Sequence, residues 1–154
     1  KDSLEKIPIF GKWILRIRGL YIHRGDARAS LKTINEGVDY LKQGFSLVIF
    51  PEGTRSRSSK LGEFKPGSFK LATKARVPGV PVTLNGGYRT YEERGAVTKG
   101  CHIDFMVHEP ILTKDMSRQE LAELPHRVEE IIRNGLDVLT AQESREAETK
   151  ADNN

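Results

Sequence analysis

The sequence predicts a single α/β domain with a mostly parallel or mixed sheet flanked by helices. Segments with helical spacing of apolar residues alternate with short apolar runs that are typical of strands. The 154 residues are 37% hydrophobic, which is enough for one core. We expect the domain to cover residues 1–140 and the polar segment 141–154 to be a disordered tail, because it has few apolar side chains to bury.

Four segments have the apolar spacing of helices. Asp26 is a predicted N-cap, and Ser117 forms a predicted capping box with Glu120. The first segment is amphipathic, so it either packs on the core or dips into a lipid interface. The four lie within residues 5–22, 26–44, 67–75 and 117–139.

Short apolar runs predict the strands. Leu47 to Phe50 is a continuous apolar run that ends in Pro-Glu-Gly, the pattern of a buried strand entering a loop. Pro81 limits its strand to an edge or a bulge. In residues 102–108 apolar and polar residues alternate, so Ile103, Phe105 and Val107 are expected to point inward. The predicted strands lie near residues 20–23, 47–50, 80–84 and 102–108.

Composition narrows the possible partners. The chain has 25 Lys and Arg against 21 Asp and Glu, a formal charge of +4 that favours phosphate, lipid headgroups or nucleic acid. Nucleic acid is the least favoured, because the charge is modest and the aromatic residues are scattered. With Cys101 alone, neither an intramolecular disulfide nor a thiolate metal cage is expected. No metal or prosthetic group is predicted, and no run of about 20 apolar residues predicts a spanning helix.

The segment after the predicted strand at Leu47 to Phe50 carries chemistry suited to phosphate. Arg55 offers a planar fork of donors, Thr54 and Ser56 offer hydroxyls, and Gly53 tolerates positive φ and close approach of a ligand. A structural alternative is that Glu52 and Arg55 simply pair with each other. Neither the Walker A pattern nor a Gly-x-Gly-x-x-Gly turn is present, so ATP and NAD are not indicated.

The segment Phe-Pro-Glu-Gly-Thr-Arg-Ser at residues 50–56 resembles, residue for residue, the third signature block of the glycerolipid acyltransferases that make phosphatidic acid. Residues 19–24 resemble the second block, 64–72 the Phe-Lys-x-Gly segment, and 80–84 the fourth block. These blocks follow the family's order, and the resemblance extends more loosely over residues 1–140. It implies a glycerolipid-acyltransferase-like fold.

The resemblance also implies roles for individual residues. The arginines and Lys65 would hold the phosphate of lysophosphatidic acid, and Glu52 would contact glycerol hydroxyls or orient the arginines. A phosphate monoester carries about −1.5 to −2 charges, so two or three cations suit it. The implied substrate-binding residues are Arg24, Glu52, Gly53, Thr54, Arg55 and Lys65.

The implied reaction is transfer of a fatty acyl group from acyl-CoA or acyl carrier protein to 1-acylglycerol 3-phosphate. It would take place at the cytoplasmic side of a membrane, with the chain associated with the membrane surface, and would need no cofactor. Two alternatives stay open. In the first, the enzyme uses glycerol 3-phosphate or another lysophospholipid as the acceptor. In the second, the chain is a non-catalytic module that binds anionic lipid or phosphate.

The family's first block, His-x-x-x-x-Asp, does not occur in the sequence. In the family its histidine takes the proton of the attacking hydroxyl, and the aspartate orients the histidine. The residues five positions after His23, His102, His108 and His126 are Arg28, Val107, Thr113 and Ile131. We therefore expect this chain to begin after the family's first block. We also expect residues 1–154 to contain no catalytic residue and to be inactive alone.

Overall fold

The computed structural model describes most of the chain as two compact units. The described residues are 7, 9–22, 25–93, 95–96 and 100–152. The first unit comprises Lys1–Val48 and Lys70–Val77, and the second comprises Ile49–Phe69 and Pro78–Asn154. The organisation of these units as one domain stays a prediction.

The first unit is helical. It contains α1 (Phe10–Arg16), α2 (Ala27–Lys42) and α3 (Lys70–Ala75). The predicted N-cap is confirmed, since the Asp26 carboxylate accepts a hydrogen bond from the Ala29 amide at 2.8 Å. Residues 20–22 have no strand structure, so the strand predicted there is wrong for these residues.

Gly37 allows α2 to pack closely within the first unit. A Cβ at this position would lie 2.6 Å from a Leu71 methyl carbon and 2.8 Å from a Leu20 methyl carbon. Nearby, the buried Thr33 hydroxyl donates to the carbonyl oxygen of Tyr21 at 3.1 Å. The segment before α2 and helix α3 therefore both pack on the face of α2 that carries Gly37.

The second unit combines a small sheet with a long helix. Strands β1 (Val82–Asn85) and β2 (Asp104–Val107) pair antiparallel, and α4 (Arg118–Asp152) packs on β1. The helix-and-sheet class is confirmed. Among the described residues, however, the sheet has two antiparallel strands rather than a parallel or mixed order, and residues 47–50 form no regular strand.

The face of the sheet that packs on α4 is built around Thr83, which is fully buried. Its Oγ1 lies 2.8 Å from His108 Nε2 and donates to the carbonyl oxygen of Ile132 at 3.3 Å. Gly135 of α4 lies against this pair, since a Cβ there would be 2.6 Å from Thr83 Oγ1. Close contact between helix and sheet thus depends on a glycine opposite a hydrogen-bonded threonine.

The predicted direction of the apolar side chains in β2 is wrong. Ile103, Phe105 and Val107 are 46%, 62% and 60% exposed. The reason is that α4 covers the other face of the sheet, where Thr83 pairs in register with Met106. An outer apolar face results, formed by Val82, Leu84, Phe105 and Val107.

The segment predicted to be a disordered tail is helical as far as Asp152. Its Ala, Gln, Glu, Arg and Lys residues favour helix even where they bury little. Hydroxyl groups also bond back along the helix, as in Ser144 to the Thr140 carbonyl oxygen at 3.0 Å. Burial alone was therefore the wrong criterion for residues 141–152.

Throughout the described ranges, no helix is both long and apolar enough to span a membrane.

Glu143 attaches α4 to the segment that follows β1. Both terminal nitrogens of Arg89 donate to its carboxylate, with Nη2 to Oε2 at 3.0 Å, and Asn85 Nδ2 donates to Oε2 at 3.1 Å. The hydrogen bond from Arg89 is the main reason that the pKa of Glu143 is lowered from its usual value near 4.5. Glu143 therefore stabilises the fold as a carboxylate.

We expect Glu143→Gln to lower the free energy of unfolding at pH 7 by about 1 kcal/mol, since both partners are only partly exposed. The folded-state pKa is depressed, so this contribution is complete above the unfolded-state pKa and is lost as pH falls through the folded-state pKa. Urea unfolding at pH 7 and at steps below pH 4.5 measures it. The difference in free energy of unfolding between wild type and Glu143→Gln is expected to disappear in acid. The control Glu146→Gln, at an exposed position, is expected to differ from wild type neither at pH 7 nor in acid. A difference for Glu143→Gln that grows in acid contradicts the assignment.

Candidate functional site

All the predicted site residues except Arg24 lie on one loop of the second unit, here called the site loop (residues 50–65). Arg24 lies outside the described residues. The loop begins with a tight turn in which the Gly53 amide donates to the Phe50 carbonyl oxygen at 3.0 Å. Gly53 has a φ of +65°, a conformation in which a side chain is strained. The backbone conformation of the turn therefore explains why position 53 is a glycine.

The two ends of the site loop are tied together. The Lys65 amide donates to the carbonyl oxygen of Pro51 at 2.8 Å, and the Ser68 hydroxyl donates to the same oxygen at 3.4 Å. Phe64 is buried, and its ring centroid lies 6.2 Å from that of Phe69. The loop is thus a closed structure anchored at its base by an aromatic pair.

Glu52 occupies the interior of the site loop. Its carboxylate accepts from the Ser56 hydroxyl at 3.1 Å and from the Gly62 amide at 2.9 Å. A Cβ at Gly62 would lie 2.4 Å from Glu52 Oε2, so Gly62 makes room for this contact. In the structure the carboxylate thus organises the loop. Its contact with glycerol hydroxyls stays a prediction.

Arg55 ion-pairs with Glu92 rather than with Glu52, so the predicted structural alternative is not the one adopted. Arg55 Nη1 lies 2.8 Å from Glu92 Oε1, and the Arg55 side chain is 78% exposed. Lys65 Nζ lies 3.0 Å from Glu63 Oε2 and is also largely exposed. Both predicted cations of the site loop are therefore exposed to solvent, each beside one carboxylate.

The charge of the site loop is positive overall. Thr54 is exposed at the same turn, which leaves its hydroxyl accessible. Exposed guanidinium and ammonium groups beside a hydroxyl form a surface suited to a phosphate group. Four cations of the loop, Arg55, Arg57, Lys60 and Lys65, stand against the two carboxylates Glu52 and Glu63.

An open cavity of about 330 Å³ lies between the site loop and α4. Its walls are partly polar and carry charges of both signs. The lining residues are Ser59, Lys60, Leu61, Arg133, Leu136 and Asp137. Among the residues that the structure describes, no group of three His, Cys, Asp or Glu side chains is arranged to hold a metal ion.

Sequence reasoning missed Glu92, the partner of Arg55. It lies far along the chain, in an irregular segment after β1 and outside every signature block. The adjacent pair Glu92 and Glu93 carries no spacing that distinguishes a site residue from an ordinary surface carboxylate. Only the folded arrangement identifies it.

The sequence of this chain is similar to those of known proteins. The family model described as Acyltransferase matches residues 1–85. A 1-acyl-sn-glycerol-3-phosphate acyltransferase from Saccharomyces cerevisiae is 32% identical over 133 residues, which are 83% of this chain and 43% of that protein. The chloroplastic enzyme BAT2 from Brassica napus is 33% identical over 132 residues, covering 80% and 38%. The chain thus spans less than half the length of these relatives.

A solved structure is also similar. The crystal structure of the 1-acyl-sn-glycerophosphate (LPA) acyltransferase PlsC from Thermotoga maritima matches with a TM-score of 0.76 at 33% sequence identity. The match covers 90% of this chain and 54% of that one. The likeness therefore extends beyond residues 1–85 to most of the fold.

Proposed function

Because the chain belongs to the acyltransferase family, we propose that it forms the acceptor-binding part of an enzyme that acylates 1-acylglycerol 3-phosphate to phosphatidic acid. The observation that carries the proposal is the site loop, in which Phe-Pro-Glu-Gly-Thr-Arg-Ser forms a closed turn with Arg55 exposed. Relatives named as 1-acyl-sn-glycerol-3-phosphate acyltransferases support the choice of acceptor. Glycerol 3-phosphate and other lysophospholipids are the alternative acceptors.

In the proposed reaction, the free glycerol hydroxyl attacks the carbonyl carbon of an acyl thioester. An ester carbon–oxygen bond forms and the carbon–sulfur bond breaks. A base takes the hydroxyl proton and passes it to the departing thiolate, which leaves as a thiol. Arg55 and Lys65 bind the acceptor phosphate, and Thr54 and Gly53 complete that contact. Acyl-CoA or acyl carrier protein serves as the donor, and no prosthetic group takes part. The role of Arg24 in the phosphate contact stays a prediction.

We further propose that the chain works at the cytoplasmic surface of a membrane. Helix α1 supports this, because Trp13 is 53% and Leu15 56% exposed on a helix that also carries Lys12 and Arg16. Exposed tryptophan and leucine beside basic residues suit the boundary between headgroups and acyl chains.

A second candidate function is non-catalytic binding of anionic lipid or phosphate. It requires no His-x-x-x-x-Asp sequence, and residues 1–154 contain none. Both candidates share the phosphate contact, and neither expects turnover by residues 1–154 alone. The purified chain therefore tests the phosphate contact that the two candidates share.

The test measures binding of 1-oleoyl lysophosphatidic acid and 1-oleoylglycerol to the 154-residue chain in a neutral detergent, by calorimetry. We expect the phosphorylated lipid to bind at least about 10-fold more tightly, since a charged hydrogen bond contributes about 1.5–3 kcal/mol. With oleoyl-CoA added, no phosphatidic acid is expected to form. Equal affinities would refute the phosphate site, and turnover would refute the inactivity of the chain. Glycerol 3-phosphate, measured alongside, reports how much the acyl chain contributes.

A further inference from the structure

Glu92 and Arg55 are an unequal pair. The Arg55 side chain is 78% exposed, whereas that of Glu92 is 15% exposed. An exposed arginine samples many rotamers, while a mostly buried glutamate samples few. The Glu92 carboxylate is therefore the fixed partner, and it holds the Arg55 guanidinium in place.

The segment that carries Glu92 is itself supported. It follows a 3-10 helix (Gly87–Thr90), and the Glu93 amide donates to the Tyr88 carbonyl oxygen at 3.1 Å. Arg89 of the same short helix binds Glu143 of α4. A chain of contacts thus runs from α4 through Arg89 to the turn at Glu92, and from there to the site loop.

The pair leaves most of the guanidinium available. The contact joins Nη1 to a single carboxylate oxygen, and a guanidinium has five N–H donors in a fixed plane. The edge formed by Nη2 and Nε keeps the paired geometry that matches two phosphate oxygens. Glu92 therefore orients the Arg55 guanidinium through Nη1 and leaves the Nη2–Nε edge available.

We propose that Glu92 is a positioning residue of the acceptor site, which holds Arg55 with its free edge ready for a phosphate monoester. The proposal rests on the proposed role of Arg55 in binding the acceptor phosphate. Glu92 lies beyond residues 1–85, the range that the family model matches. It extends the site to a segment that carries none of the signature blocks.

The test uses the ratio of affinities for 1-oleoyl lysophosphatidic acid and 1-oleoylglycerol, measured with the full 154-residue chain. Glu92→Gln is expected to lower this ratio about 3- to 10-fold by weakening only the phosphorylated lipid. Glu92→Asp, which keeps the charge on a shorter side chain, is expected to give an intermediate ratio. The exposed neighbour Glu93 supplies the matched control, and Glu93→Gln is expected to leave the ratio unchanged.

Coupling to Arg55 separates positioning from a general structural role. In an Arg55→Ala background, Glu92→Gln is expected to have no further effect on the ratio. An unchanged or increased ratio in Glu92→Gln, with Arg55→Ala still lowering it, overturns the positioning role alone. Equal affinities of the wild-type chain for the two lipids overturn the proposed function and this inference together. A thermal unfolding midpoint near that of wild type confirms that Glu92→Gln is folded.

Discussion

Arg55→Ala lowers the affinity for 1-oleoyl lysophosphatidic acid by about 10- to 100-fold, the largest expected effect of any single change in the site loop. The removed guanidinium is exposed and supported by Glu92, and a charged hydrogen bond contributes about 1.5–3 kcal/mol. The affinity for 1-oleoylglycerol is expected to stay within about 2-fold, because that lipid has no phosphate. Calorimetry in neutral detergent gives both values.

The same loop supplies the control. Arg57 is two residues away, is also exposed and has the same charge. If the loop attracts phosphate only through its total charge, Arg57→Ala weakens binding as much as Arg55→Ala does. If Arg55 makes a direct contact, Arg57→Ala costs no more than about 2- to 3-fold. Equal losses in the two variants would therefore remove Arg55 from the site.

Gly135→Val is expected to lower the free energy of unfolding by about 3 kcal/mol or more. A Cβ at Gly135 would lie 2.6 Å from Thr83 Oγ1 and 2.7 Å from His108 Cε1. Valine adds two further methyl groups and so forces α4 away from the sheet or breaks the hydrogen bond between Thr83 and His108. Urea unfolding followed by circular dichroism measures the loss.

Glu130→Val controls for the low helix propensity of valine, because Glu130 is exposed on the same helix. It is expected to cost less than about 1 kcal/mol. Similar losses in the two variants would mean that contact with the sheet at Gly135 is unimportant. For a chain of this size, a loss of about 3 kcal/mol in the free energy of unfolding lowers the midpoint of thermal unfolding by about 6–12 °C.

Local signals in the sequence predicted local structure well. The Ser117 and Glu120 capping box forms as expected, with the Ser117 amide donating to the Glu120 carboxylate at 2.7 Å and the Glu120 amide to the Ser117 hydroxyl at 3.2 Å. Asp26 likewise caps α2. Such contacts join residues three positions apart, so spacing alone contains the information.

Properties that depend on distant partners could not be read in this way. Alternation in β2 predicts two faces but not which face receives α4, and the apolar face containing Phe105 proved to be the outer one. The signature block put Glu52 and Arg55 on one loop, as the structure has them. Their partners Gly62 and Glu92 follow only from how the chain folds back.

The outer apolar face has a practical consequence for every lipid measured on this protein. Phe105 and Val107 are more than half exposed beside Leu84, and exposed apolar patches tend to recruit other molecules. We expect the same surface to adsorb acyl chains regardless of headgroup. Concentrated samples should therefore scatter light and brighten hydrophobic dyes unless detergent is present. An oleoyl lipid without phosphate is consequently the reference that isolates headgroup recognition from nonspecific adsorption.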